Sequence, residues 1–320
     1  MTHCIRPLAP LFGLLLLGSL ALSAEDHPGH RVLLQGNGKL AQVSPSGEIE
    51  WEMPWGDIHD IHLLQNGHIL VQEQMRRVVE IDPATRETVW SYDSAASPDN
   101  EGKRVEVHAF QPLGSGKVMI AESGPARIIE VDREGRILRQ IALKVKEPHP
   151  HSDTRLARKL ANGHYLVCHE NDGAVREYDA EGKVVWEYAI PLFGKTPKPG
   201  HGLEAFGNRC FAAVRLPNGN TLVSTGNGHS VLEVDRKGEI IWQLHQDDLP
   251  GIRLAWVTTL EVLPNGNYVI GNCHAGPGNP LLIEVDPKTK KAVWTFDGFD
   301  RFGNSVPNSL LPDLAGDTIR

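Results

Sequence analysis

Hydrophobic and polar residues alternate along the chain in short runs, and turn residues separate one run from the next. The segments HILVQE, RVVEID and TVWSY each show this alternation. A period of two over a few residues is typical of a strand with one buried face, and Asn-Gly or Asp-x-x-Gly between two such runs is typical of a hairpin turn. The pattern therefore predicts an all-β protein built from many short antiparallel strands.

A longer phrase that contains several of these runs recurs along the chain. Each copy has a strand that ends in a tight turn, as in RLPNGNTLV, then a strand with Glu-Val-Asp or a related sequence, and then a strand that carries tryptophan. The tryptophans at this position are Trp51, Trp90, Trp186, Trp242 and Trp294, with Arg139 in one copy. The glutamates are Glu80, Glu130, Glu177, Glu233 and Glu284, with Gln42 in one copy. We expect both sets to be structural, because tryptophan fills the space between neighbouring sheets and a buried glutamate needs the same hydrogen bonds in every copy.

Four-stranded units that repeat in a ring are the blades of a β-propeller. The complete copies span residues 57–93, 105–143, 150–190, 208–246 and 255–298. Residues 31–53 supply only the last three strands of a sixth copy, and residues 303–317 resemble its missing first strand. The sequence thus predicts a six-bladed propeller of four-stranded antiparallel blades, in which a C-terminal strand joins the N-terminal blade and covers two open sheet edges. A β-solenoid is the alternative, but it would not need complementary halves at its two ends.

The first 24 residues have the features of a secretion signal. Arg6 precedes the apolar run LFGLLLLGSLAL, and ALSA, which ends at Ala24, offers small residues for cleavage. The apolar run is shorter than the ~20 residues that a transmembrane helix needs. We expect residues 25–320 to form a single propeller domain that is secreted or periplasmic, monomeric and without a membrane span.

The net charge argues against a nucleic-acid partner, and the number of cysteines limits their possible pairing. The net charge of -8 would repel a phosphate backbone, so we expect no nucleic-acid partner. Three cysteines follow the signal, Cys168, Cys210 and Cys273, and an odd number leaves either one bridge and a free thiol or three free thiols. We expect buried, inert cysteines, because free cysteine is among the most buried residue types.

The chain has 15 histidines, and the topology of a blade sorts them between its two ends. His68 and His164 lie in turns between first and second strands, at one end. The opposite end is the loop-rich face, which contains the loops between second and third strands and the crossovers between blades. Loops on a rigid scaffold are frequent binding sites. Candidate catalytic residues on this face are His229, His274, His59 and His108. Candidate ligand-binding residues are Arg155, His151, His169, His201, Glu122, Glu170 and Asn272.

The repeated phrase resembles the sequences of two families. The segments DPATRETVW and DPKTKKAVW resemble the Asp-x-x-Thr-Gly-x-x-x-Trp pattern of pyrroloquinoline-quinone (PQQ) repeat propellers, with Arg86 and Lys290 in place of the glycine. The segment LPNGNTLVSTGNGHSVLEVD is more similar to the propeller of secreted bacterial arylsulfotransferases. Quinone-dependent members of the first family have eight blades and often a pair of adjacent cysteines, and this chain has neither feature. We therefore do not expect PQQ as a cofactor.

Several functions fit a histidine-rich channel mouth. The expected function is binding of a small molecule, a glycan or a protein at the loop-rich face. The arylsulfotransferase resemblance implies an alternative, sulfuryl transfer through a histidine nucleophile with neighbouring His and Arg residues stabilising the transferred anion. A third alternative is a metal-dependent hydrolase or lactonase, in which imidazoles and Glu170 or Glu122 hold a divalent metal.

Overall fold

The computed structural model describes residue 1, residues 29–146 and residues 148–320. Six four-stranded antiparallel sheets make up these residues, which confirms the predicted six-bladed propeller. The predicted signal peptide lies outside the described residues except for residue 1. Among the helices of the described part, none has the length and apolar character needed to cross a bilayer.

Each blade contains four consecutive strands, except that the innermost strand of the first blade comes from the C-terminal part of the chain. The first blade contains β1 (Val32–Gly36), β2 (Lys39–Val43), β3 (Ile49–Pro54) and β24 (Ser309–Leu310). The second contains β4 (Ile61–Leu63), β5 (Ile69–Glu73), β6 (Arg77–Asp82) and β7 (Glu87–Asp93). The third contains β8 (Glu106–Pro112), β9 (Val118–Ser123), β10 (Arg127–Val131) and β11 (Ile137–Ala142). The fourth contains β12 (Ala157–Lys159), β13 (Tyr165–His169), β14 (Ala174–Tyr178) and β15 (Val184–Ala189). The fifth contains β16 (Ala212–Arg215), β17 (Thr221–Ser224), β18 (Val231–Val234) and β19 (Ile240–Leu244). The sixth contains β20 (Trp256–Val262), β21 (Tyr268–Cys273), β22 (Leu282–Asp286) and β23 (Lys291–Phe296), and the short helix α1 (Phe299–Phe302) follows it.

The hydrophobic core lies between neighbouring blades. Leu70 and Val78 of the second blade, for example, pack in one cluster with Phe110 and Ile120 of the third. The tryptophans complete these contacts at the rim, because the indole of Trp51 donates to the carbonyl of Pro83 in the next blade at 2.8 Å. Trp90, Trp186 and Trp242 donate in the same way to Arg133, Arg236 and Pro287, and the Arg139 guanidinium, which replaces tryptophan in one blade, donates to Ala180 at 3.0 Å. The repeated tryptophan therefore joins neighbouring blades through a hydrogen bond at the rim.

The repeated glutamates accept hydrogen bonds from the turn between the first two strands of their own blade or from the following blade. Glu80 accepts from His68 Nδ1 at 2.7 Å, and Glu177 accepts from His164 Nδ1 at 2.8 Å. Glu233 accepts from Asn220 Nδ2 at 2.6 Å. His68 and His164 thus hold the first turn of their blades to the repeated glutamate, a structural role that the sequence analysis did not assign to them.

The ring closes as predicted. β24 pairs with β1 through Leu310 and Leu33, so the C-terminal segment supplies the innermost strand of the first blade. Beyond β24 the chain returns to the sixth blade, where Ile319 forms a β-bridge with Val262. The segment therefore joins the first and sixth blades.

Asp60, which lies just before β4, ties four parts of the ring together near the axis. Its carboxylate accepts two hydrogen bonds from Arg158 of the fourth blade, at 2.7 and 3.0 Å, and one from the backbone N–H of Phe110 in the third. Asn308 of the closing segment donates to it at 3.3 Å. Both charged partners are buried, and although burial raises the pKa of Asp60, the charges of Arg158 and His62 hold it well below its usual range.

We expect Asp60→Asn to lower the free energy of unfolding by about 3–5 kcal/mol, because it leaves Arg158 as a buried charge without its partner. Urea unfolding followed by tryptophan fluorescence measures the change. Asp57→Asn, at an exposed position of the same crossover, is the control and should unfold like the wild type. A change below about 1 kcal/mol in the Asp60 variant would show that the pair contributes little.

Candidate functional site

A cavity of about 260 Å³ opens on the loop-rich face at the end of the central channel. Five of the sequence-predicted residues line it: His59, His151, Arg155, His201 and His274. A larger cavity of about 470 Å³ lies between turns of the second and third blades. Its charged lining residues are Lys117 and Arg133, and Arg133 is already paired with Glu80. None of the sequence-predicted site residues lines it, so we place the candidate site in the histidine-lined cavity.

Three neighbouring blades contribute to the cavity wall from equivalent positions. His59, His108 and Arg155 each lie eight residues before the glycine of the first turn in their blade. The rings of His59 and His108 have centroids 4.5 Å apart, and Arg155 Nη1 lies 3.1 Å from His108 Nδ1. Their equal spacing from the turn glycines therefore predicts correctly that the three side chains lie close together.

A β-bulge at His108 sets the direction of its side chain. The register between β8 and β9 shifts between Val107 and Ala109, which leaves His108 as the extra residue of the pair. A bulge bends the strand and re-aims a side chain, and bulges are frequent beside functional sites. His108 is fully buried behind His59 and His151, with its ring centroid 5.4 Å from that of His151.

Phe211 and Trp256 form an apolar part of the cavity wall that the sequence analysis did not identify. Phe211 lies eight residues before Gly219, so the same alignment that found Arg155 would also have found it. Trp256 lies at the start of β20, where a register shift between Val257 and Leu260 breaks the count from the turn. Phe211 stacks on His59 with a centroid distance of 6.4 Å.

His201 and His274 form the opposite part of the wall. The ring of His201 lies 4.4 Å from that of Trp256 and 5.2 Å from that of His274, measured between centroids. The backbone of His274 has a φ of 62°, and its N–H donates to the carbonyl of Asn304 at 2.7 Å. The closing segment thus holds the loop that presents His274.

Glu106, which the sequence analysis also missed, joins two of the predicted histidines. One carboxylate oxygen, Oε2, lies 2.8 Å from His151 Nδ1 and 3.1 Å from His108 Nε2. The other, Oε1, accepts from Arg104 Nη2 at 2.6 Å. The spacing Glu-x-His at the start of an innermost strand is the sequence signal that would have indicated it.

Arg155 is held by a buried carboxylate. Its Nε donates to Glu170, which also accepts from Arg209 Nη1 at 2.7 Å. Three carboxylates and three guanidinium groups lie around the cavity, so their charges balance. The carboxylates are those of Asp57, Glu106 and Glu170, and the guanidinium groups are those of Arg104, Arg155 and Arg209. The imidazoles therefore determine much of its chemistry.

Burial favours the neutral form of three of these imidazoles, those of His59, His108 and His274. Burial and then the charge of Arg155 lower the pKa of His108 to about 4, against the hydrogen bond to Glu106. Burial also lowers the pKa of His59 well below the usual range, helped by the nearby His108 and Arg155. The pKa of His274 is lowered as well, by burial and then by His201. Neutral imidazoles at physiological pH can accept hydrogen bonds, bind metals or act as nucleophiles.

Six predicted site residues do not line this cavity. His108 and Glu170 lie behind its wall, in contact with Arg155, and the other four lie away from it. Both ring nitrogens of His229 face backbone carbonyl oxygens, those of Ala255 at 2.6 Å and of Ala205. The ring of His169 lies between the carbonyl of Asp153 at 2.9 Å and the hydroxyl of Tyr178 at 2.8 Å. Neither ring has a nitrogen free for a ligand, so we leave both out of the site.

Glu122 and Asn272 hold loops. Glu122 accepts from Arg127 Nε at 2.6 Å and from Asn100 Nδ2 at 2.9 Å, which anchors the crossover between the second and third blades. Asn272 accepts from the N–H of Ala255 at 2.8 Å. Both side chains are buried and serve the scaffold.

The cysteines offer no reactive thiol at the site. Cys168, Cys210 and Cys273 are free and buried, as expected. Burial raises the pKa of Cys273, which borders the cavity, to about 12. Its thiol is therefore protonated at physiological pH and is a poor nucleophile.

Comparisons with known proteins place this propeller in a family. The sequence profile of the family described as outer membrane protein assembly factor BamB, a family of PQQ-like repeats, matches residues 36–296. The chain belongs to this family. The predicted resemblance to PQQ-repeat propellers is thereby confirmed. No curated protein sequence matches the chain.

Several solved structures share the fold of this family member. A protein of unknown function from Bacteroides caccae is 23% identical over 88% of this chain and 98% of its own, with a TM-score of 0.71. The WD40 propeller domain of Doa1 is 14% identical over 76% of this chain and 72% of its own, with a TM-score of 0.53. Virginiamycin B lyase from Staphylococcus aureus is 12% identical over 82% of this chain and 83% of its own, with a TM-score of 0.51. At these identities the similarity concerns the fold alone.

Proposed function

We propose that the protein binds a small polar molecule with a flat apolar part in the histidine-lined cavity. The observation that carries the proposal is the convergence of His59, His151, His201 and His274 with Trp256 on one opening. Side chains from separate parts of the ring meet there, and an architectural role does not require this convergence. Mostly apolar walls with a few convergent polar groups are typical of small-molecule sites.

The size and charge of the cavity narrow the class of ligand. A volume of about 260 Å³ lies just below the range of roughly 300–1,000 Å³ for ligand sites, which suits a small ligand rather than a long glycan. Because carboxylates and guanidinium groups balance, the site suits a neutral or weakly charged molecule. Trp256 and Phe211 would contact its flat part, and neutral imidazoles would exchange hydrogen bonds with its polar atoms.

Sulfuryl transfer is the second candidate function, and His59 is the observation that favours it. Its buried Nδ1 has no hydrogen-bond partner among the described residues, and its ring borders Arg155 across the cavity wall. In this reaction an imidazole nitrogen attacks the sulfur of an aryl sulfate, the bond from sulfur to the aryl oxygen breaks, and the phenolate leaves and takes up a proton. Arg155 would stabilise the charge on the sulfuryl oxygens.

Native mass spectrometry tests both functions. We expect the protein, either as purified or after exposure to 4-nitrophenyl sulfate, to carry a small molecule that denaturation releases. His201→Ala and His274→Ala should each weaken binding of 4-nitrophenyl sulfate by about tenfold, the equivalent of one lost hydrogen bond, and His164→Ala at the opposite face should not.

The other outcomes have distinct meanings. A mass increase of one sulfuryl group that survives denaturation and disappears in His59→Ala would favour transfer over binding. A bare mass in every condition would contradict both functions and would direct attention to a protein partner, in line with the assembly role in the family's name.

A further inference from the structure

Glu106, His108 and His151 bring one potential metal ligand each to a single point at the edge of the cavity, which His151 lines. Their ligand atoms, Oε2, Nε2 and Nδ1, all lie within 4.8 Å of one another. Two of the residues come from the start of β8 and the third from the crossover before β12. We propose that these three side chains bind one divalent transition-metal ion of the Zn²⁺ class.

The donor set selects the class of metal. Two imidazole nitrogens and one carboxylate oxygen suit Zn²⁺ and related ions, whereas Mg²⁺ and Ca²⁺ prefer oxygen ligands. Ligands at about 2.0–2.2 Å from a tetrahedral ion lie roughly 3.3 Å apart. The two Glu106 distances of 2.8 and 3.1 Å need to open by only a few tenths of an ångström to admit the ion.

Neighbouring groups hold two of the ligands in position. Arg104 binds the second oxygen of Glu106 at 2.6 Å, which directs Oε2 to the histidines. The carbonyl of Thr154 lies 2.9 Å from His108 Nδ1. When that nitrogen donates to the carbonyl, Nε2 presents its lone pair to the ion, and such a backbone carbonyl is a common partner of metal-binding histidines.

The metal-free protein has a second arrangement available. His108 Nδ1 then accepts from Arg155 Nη1 at 3.1 Å, and Nε2–H donates to Glu106 at 3.1 Å. That tautomer leaves the Nδ1 lone pair facing the carbonyl of Thr154. Metal binding would select the tautomer that satisfies the carbonyl, and it would require no proton on Nε2.

The ion can reach the site from the cavity, and one of its coordination positions is not filled by the protein. His108 is fully buried, whereas the His151 side chain is 48% exposed and lines the cavity. An ion can therefore enter from the cavity past His151. Three protein ligands leave a fourth position for water or a ligand, as in catalytic zinc sites, and the ring of His59 lies 4.5 Å from that of His108.

The other His–Glu pairs of the ring provide an internal comparison. Glu80 and Glu177 each contact one histidine, at 2.7 and 2.8 Å, and each is also paired with arginine. One imidazole and one carboxylate supply too few ligands for a metal site, and the same holds for His30 and Glu284, whose Nε2 and Oε2 atoms lie 2.7 Å apart. Glu106 differs in having two imidazoles on the same oxygen, with arginine on the other.

Calorimetric titration of Zn²⁺ into the full chain without an affinity tag, after removal of metal with EDTA, tests the proposal at pH 7.5. We expect one Zn²⁺ per chain. Glu106→Gln and His151→Ala should each weaken binding by at least 100-fold, while His164→Ala and His274→Ala should leave it unchanged. Co²⁺ bound to the wild type should show the visible absorption of a low-coordinate site.

Three outcomes would overturn the proposal: no Zn²⁺ bound by the wild type, binding unchanged in both Glu106→Gln and His151→Ala, or binding lost in His274→Ala or His164→Ala. His151 is half-exposed, so its variant should fold, and thermal melting of the metal-free protein checks this. The test does not depend on the organic ligand proposed above, because binding of 4-nitrophenyl sulfate can be measured separately in EDTA and either result can fail alone.

Discussion

Deleting residues 303–320 should abolish cooperative folding of the whole ring. The segment carries Val306, Leu310 and Leu311, all buried, and burial of each such side chain contributes roughly 1.5–3 kcal/mol. Their sum approaches the total stability of a typical domain, about 5–15 kcal/mol. The deletion also exposes the edge of β1 and removes the bridge to Val262 in the sixth blade.

Circular dichroism during heating measures this effect, and we expect the truncated chain to show a broad transition or none. A synthetic peptide of residues 303–320 added in trans should restore part of the cooperative transition. Leu310→Ala, a smaller perturbation, should cost about 2–5 kcal/mol, whereas the exposed Asp317→Ala should cost almost nothing. A truncated chain that melts within a few degrees of the full chain would show that the ring does not need this closure.

The architecture was predictable because each repeated residue performs the same physical task in every blade. Trp51 binds a carbonyl of the next blade, and Arg139, the exception in the repeat, makes the same contact with a guanidinium group. Glu80 and Glu177 likewise bind equivalent turns. Periodicity reveals such contacts without coordinates, and the incomplete first copy revealed the closing strand in the same way.

The sequence predicted which face of the ring carries the candidate site, but not which side chains form it. Blade topology places His59, His108, His229 and His274 toward one end of the ring, but the direction of each side chain depends on local backbone geometry. His229 and His274 both have left-handed φ values, of 52° and 62°, and yet His229 turns into the loop and His274 lines the cavity. Hydrophobic patterning carries no signal for that difference.

A bulge accounts for Trp256, one of the site residues that the sequence analysis missed. An extra residue in a strand shifts the side chains that follow to the other face, so counting from a turn fails beyond it. The shift between Val257 and Leu260 hides Trp256 from such a count.

The protein should lose stability steadily as the pH falls from about 6.5 to 4, before most carboxylates titrate. Burial, together with the charge of Arg155 for His108 and of Arg176 for His169, lowers the pKa of each of these histidines to about 4. Both histidines therefore remain neutral in the folded protein, whereas in the unfolded chain they bind protons below about 6.5. Because the unfolded state then binds more protons, acid favours unfolding.

Each such histidine lowers the free energy of unfolding by at most about 1.4 kcal/mol per pH unit in this window. His59 and His62, whose pKa values are also lowered by burial, add to the effect. Asp153 and Glu261 oppose it, because burial raises their pKa values and the folded state takes up protons there first. With more histidines than opposing carboxyls, we expect a net loss of about 4 kcal/mol between pH 6.5 and pH 4.5.

Urea unfolding at intervals between pH 7.5 and pH 4.5, in EDTA, measures this dependence. His169→Gln should reduce the slope by about 1.4 kcal/mol per pH unit, because the substituted side chain cannot titrate. The difference between the variant and the wild type at pH 7.5, where the imidazole is neutral in both states, isolates the loss of packing and hydrogen bonds. An unfolding free energy that stays constant across the window in the wild type would contradict the neutral, buried imidazoles of His59 and His108, which belong to the proposed ligand site and metal site.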